Sequence, residues 1–95
     1  MAKLYINLPV SDLPKATAFY EALGFTKNQD FSNEDASAMI YDDSLSVMLL
    51  THGFYASFLG SKTISDAHIT TEVLNALQFD SREEVDTFFK KAINA

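Results

Sequence analysis

Residues 3–10 alternate between apolar and polar positions. Leu4, Ile6 and Leu8 point one way, and Tyr5, Asn7 and Pro9 point the other. Period-two alternation predicts a strand with one side built for a core. Pro9 lacks a donor for a ladder, so the strand ends there or one residue later. The period then changes. Leu13, Ala16, Phe19, Tyr20 and Leu23 fall on one helical face. Asp12 supplies an N-cap oxygen, Pro14 fits the first turn, and Gly24 allows a left-handed stop.

Residues 26–31 form a weaker second strand, followed by the polar turn Ser32-Asn33-Glu34-Asp35. Residues 36–41 and 44–51 are two further strands around Asp42-Asp43 and read as an antiparallel hairpin. Residues 53–59 carry Phe54, Tyr55 and Phe58 and read as a short helix or a lid-like loop. Residues 60–70 are polar and read as loop, and residues 71–79 read as a fifth strand. Ser81 and Glu84 make a capping box for a last helix, on which Val85, Phe88, Phe89, Ala92 and Ile93 recur at helical spacing. The order is β-α-β-β-β, loop, β-α. The final β-α reads as the start of a repeat of the first unit.

Ninety-five residues suit one domain, 1–95. Within it, 1–59 is a complete unit and 71–95 the start of a second. The formal net charge of −6 argues against nucleic acid or an anionic membrane as partner. The absence of cysteine excludes disulfides, thiolate metal sites and a cysteine nucleophile, and it fits a reducing cytoplasm. The opening residues lack the pattern of a signal peptide, and no apolar run reaches the length of a membrane span. Phosphate-binding glycine loops, nucleophile elbows and HExxH helices are missing.

The run Leu8-Pro9-Val10-Ser11-Asp12-Leu13, with Ala16, Phe19-Tyr20 and Leu23-Gly24-Phe25, resembles the vicinal-oxygen-chelate superfamily of glyoxalases, bleomycin-resistance proteins and extradiol dioxygenases. The hairpin from Met39 to Thr51 and the run from Glu72 to Asp86 extend the likeness. The resemblance implies an α+β fold. A βαβββ module is followed by the first strand and helix of a second, in a mixed curved sheet with helices on its outer face. Paired modules form an eight-stranded cup around the ligand, and dimers are common. The second module is incomplete in this sequence, so the cup is expected to be completed by a partner chain, as a homodimer or by domain exchange.

The superfamily's metal ligands align with Tyr5, Leu49 and Leu74, which are not a usual ligand set. No metal, cofactor or catalytic residue is therefore expected. His52 and His68 read as loop histidines. If Tyr5 faces the cup, alternation adds Asn7, then Leu49 and Thr51 on the fourth strand, and Glu72, Leu74 and Gln78 on the fifth. These seven are the expected ligand-binding residues of a small-molecule-binding protein. Two alternatives are a metal-dependent lyase or dioxygenase of the same superfamily, and a truncated remnant that acts only through assembly.

Overall fold

The computed structural model describes residues 2–95. It has four strands, β1 (Leu4–Val10), β2 (Thr26–Asn28), β3 (Ala36–Ile40) and β4 (Leu45–Thr51), and three α-helices, α1 (Leu13–Ala22), α2 (His52–Ala56) and α3 (Arg82–Asn94). The strands form one mixed sheet in the order β1-β4-β3-β2. β1 runs parallel to β4, and the other two pairings are antiparallel. The fold is α+β: a βαβββ module, then a partial second module.

α1 is built as its residues dictate. The Asp12 carboxylate accepts from the Lys15 amide at 3.0 Å, meeting one unpaired donor of the first turn. Gly24 has φ of 105°, a conformation that costs glycine little, and it turns the chain into β2. The apolar face of α1 lies on the sheet. Leu13, Leu23, Phe25, Met39, Val47 and Leu49 form the buried core, with Ile6, Leu8 and Val10 packed against it. Thr17 also points inward. Its hydroxyl bonds the Leu13 carbonyl at 2.7 Å and the Ser37 hydroxyl at 2.8 Å, so both buried hydroxyls are partnered.

The β3–β4 turn is held by one side chain. The Asp42 carboxylate accepts from the Ser44 amide at 2.9 Å, the Ser44 hydroxyl at 3.0 Å and the Leu45 amide at 2.8 Å. These bonds, the two from backbone amides first, hold its carboxyl below the ordinary carboxylate value.

Two expectations are corrected here. Residues 71–79 do not form a fifth strand. They join no sheet, and only Phe79 among them is even half-buried. Alternation marks a segment fit for a ladder, but a strand also needs an edge to pair with, and no edge of the sheet meets this segment. The second strand is also shorter than expected, because residues 29–31 wind into a 3-10 turn capped by Asn28.

α3 does form, with the Ser81 hydroxyl accepting from the Glu84 amide at 3.2 Å. It docks mainly through aromatic contacts. Phe88 meets Tyr41 edge-on at 6.0 Å between ring centroids and Phe79 at 5.2 Å, and Tyr41 continues to Phe25 at 5.0 Å. Val85, Phe89 and Ile93 stay exposed. The radius of gyration, 14.0 Å, exceeds the roughly 12 Å typical of a compact domain of this length.

Candidate functional site

The pairing register decides which side chains share a face. Tyr5 stands beside Ser46, Asn7 beside Met48 and Pro9 beside Leu50. Neighbours in a ladder point the same way, so these residues line the face opposite α1. Ala36 and Ala38 of β3 join it through their pairing with Leu50 and Met48. α2 lies across one end of this open face. There Asn7, Leu50, Tyr55, Phe58 and Leu59 enclose a pocket of roughly 350 Å³. Its floor is sheet, and its roof is aromatic and aliphatic. The Asn7 amide, which also donates to the Tyr5 carbonyl at 3.3 Å, is the polar group in it.

The seven expected residues separate. Tyr5 and Asn7 lie on the open face. Leu49 does not: it is 0 % exposed and packs in the core under α1. The expected facing of β4 is thus reversed. β4 is apolar at Leu45, Val47 and Leu49 but also at Met48 and Leu50, so alternation alone could not choose its inner side, and a shift of one residue exchanges the faces. Thr51 falls on the α1 side of the ladder and caps α2, accepting from the Phe54 amide at 3.4 Å. Glu72 accepts from the Tyr55 hydroxyl at 3.4 Å, which brings it to the edge of the open-face pocket. Partial desolvation, then the Glu72 charge, push the Tyr55 hydroxyl above its ordinary pKa. Leu74 is 90 % exposed, and Gln78 lies beside Tyr41 and Asp42 at the far end of the sheet. With no fifth strand, these last two share no face with Tyr5. Leu50, Tyr55, Phe58 and Leu59 are the pocket residues outside the expected set, and the apolar pattern of β4 on both faces is the reason for Leu50.

A second and larger concavity, of roughly 690 Å³, opens at the C-terminal ends of β1 and β4. It brings together both histidines, His52 and His68, which sequence reading left in unrelated loops. Among the described residues, no three His, Cys, Asp or Glu side chains are grouped so as to hold a metal ion. Among the same residues, no helix is long and apolar enough to cross a membrane.

A family model described as bleomycin resistance protein-like N-terminal matches residues 4–40. A hypothetical protein from S. aureus superposes with a TM-score of 0.75 at 25 % identity, over 96 % of this chain and 66 % of that one. The chain is thus similar to bleomycin-resistance-like proteins over its first strand, helix and following two strands, and to the S. aureus protein over nearly its whole fold. A glyoxalase/bleomycin resistance protein/dioxygenase family enzyme from Burkholderia phytofirmans PsJN shares the fold, with a TM-score of 0.67 at 20 % identity, over 95 % of this chain and 69 % of that one. No curated protein matches. The chain spans about two thirds of the length of these two structures. Of the three positions aligned with superfamily metal ligands, Tyr5 lies on the open face, Leu49 is in the core and Leu74 is in solvent.

Proposed function

We propose that this chain is a member of the vicinal-oxygen-chelate superfamily and binds a small organic molecule on the open face of its sheet, without a metal and without catalysing a reaction. The observation that carries this reading is the pocket under α2. A few hundred cubic ångströms, mostly apolar, with a single amide and a phenol at its rim, is the make-up of a small-ligand site. Asn7 is the one sequence-expected residue that lines it, Tyr5 lies elsewhere on the same face, and Glu72 reaches its rim through Tyr55. Tyr55 and Phe58 offer flat faces for an aromatic ligand.

A second copy of the chain completes the cup in this reading, by pairing or by exchange of residues 71–79. Support comes from the exposed apolar residues Val73, Leu74 and Leu77, and from the outer edge of β1, which has no partner strand. Light scattering tests this half: a dimer or larger species agrees with it, and a monomer at micromolar concentration opposes it.

Thermal-shift screening with a library of small aromatic compounds tests the site, since a ligand bound to the folded state raises Tm by mass action. The Asn7→Leu variant should keep the ligand-free Tm within a degree or two and lose most of the shift, because the substitution fills the pocket and removes its amide. A hit that shifts both proteins equally would place binding elsewhere.

A further inference from the structure

The larger concavity lies off the open face, where two parallel strands end. β1 leaves the sheet at Val10 and enters α1, on the core face. β4 leaves at Thr51 and enters α2, which covers the opposite face. Adjacent parallel strands whose connections diverge to opposite faces open a crevice beyond their C-terminal ends, where open α/β sheets bind ligands.

The crevice has an apolar floor of Val10, Ala16, Phe19, Tyr20 and Ile64. Burial pushes the Tyr20 hydroxyl above its ordinary pKa, as expected of a side chain sunk in that floor. Around the floor stand Asp12, Asp66 and Glu72, against one cation, Lys15. Three carboxylates facing one ammonium leave the rim acidic, in a chain that is acidic overall. The positive N-terminal end of α1 is met by Asp12 itself. His52 and His68 add two rings that can lie against a flat cation or hydrogen-bond it.

The geometry points to a second ligand site in this crevice, one that takes an organic cation: an ammonium group for the acidic rim on an aromatic or aliphatic body for the floor. The two pockets have different lining residues, and they meet only where Glu72 of the crevice accepts from Tyr55 of the open-face pocket, so the Asp66→Asn single variant tests the crevice alone.

Charge can be removed here without removing structure. Asp66 accepts from the His68 amide at 3.0 Å, and Glu72 from the Tyr55 hydroxyl at 3.4 Å. The amide oxygens in Asp66→Asn and Glu72→Gln can still accept those bonds. The experiment is an amide-resolved NMR titration of the full chain at neutral pH. The cationic probe is phenethylammonium chloride, and sodium 3-phenylpropionate is an anion of similar shape. The expected result is saturable shifts at the amides of Lys15, His52 and His68 with the cation and no saturation with the anion. The double variant D66N/E72Q, folded by its spectrum, should bind the cation at least ~threefold more weakly. If the double variant loses its dispersed spectrum, the two single variants replace it, each expected to weaken binding. Four results would overturn the proposal: absence of saturation, equal binding of the anion, shifts confined to Asn7, Leu50 and Tyr55, or an unchanged affinity in the folded variants. The third of these would favour the open-face site, so the two readings fail separately.

Discussion

α1 and α3 begin alike and end differently. Each is amphipathic, and each is capped by a side-chain oxygen that accepts from the third helical amide, at 3.0 Å for Asp12 and 3.2 Å for Ser81. α1 then buries Leu13 and Thr17 against the sheet, while α3 has no buried residue and leaves Phe89 62 % exposed. The contrast extends to the regions around them. Among the described residues, every buried one lies between Leu13 and Leu50. Local signals make a helix. A facing surface makes a core. α1 has a three-strand surface beneath it, whereas α3 meets only Tyr41, Phe79 and the edge of α1 and the core.

The largest effects should come from the core under α1. Leu49→Ala removes a fully buried side chain and should cost about 2–5 kcal/mol in urea unfolding. Leu49→Glu should be worse still, and worse than Met48→Glu, since Met48 lies on the open face and is only partly buried. If Met48→Glu proved the more damaging, the facing of β4 described here would be wrong.

The next effect is polar. Ser37→Ala leaves the buried Thr17 hydroxyl with only the Leu13 carbonyl and should cost on the order of 1 kcal/mol. The caps then sharpen the comparison directly. Asp12→Ala should lower global stability by about 1 kcal/mol. Ser81→Ala should fray α3, visible by hydrogen exchange, with a smaller change in the global midpoint, because little of the core depends on α3. Equal global losses would mean that α3 unfolds together with the sheet.

Asp42 sets a pH-dependent effect. Its folded carboxyl ionises below its ordinary value, so the folded state favours the ionised form. That stability is complete above the ordinary carboxylate pKa and is lost as pH falls through the lowered, folded value. The urea midpoint should therefore fall less on acidification in Asp42→Asn than in the unaltered chain. The smallest effect belongs to Phe89→Ser, which should lie within about 0.5 kcal/mol of zero for a single chain. A much larger loss would show that a second copy covers α3 in solution.

Much of the first module was legible from residue order. Asp12, Pro14 and Gly24 bounded α1 because capping and backbone freedom are local properties. The two-acid turn located the β3–β4 hairpin because Asp42 bonds only to its near neighbours. Ser81 located α3 for the same reason. The candidate site was far less legible. Tyr5 and Asn7 fall on the expected face because β1 has one polar face, and Leu49 falls on the opposite one because β4 is apolar on both. Leu74 and Gln78 were assigned to a strand that never pairs, since the existence of a partner is not written in a segment's own alternation.

By itself the sequence determined α1 and its ends, the start of α3 and the β3–β4 hairpin, all of which rest on residues near one another along the chain. Tertiary structure alone decided four things: which face of β4 meets α1, that residues 71–79 stay outside the sheet, that Glu72 reaches Tyr55, and that His52 and His68 line one crevice. Each depends on groups far apart in sequence, whose meeting is set by strand register and by the opposite exits of β1 and β4 from the sheet.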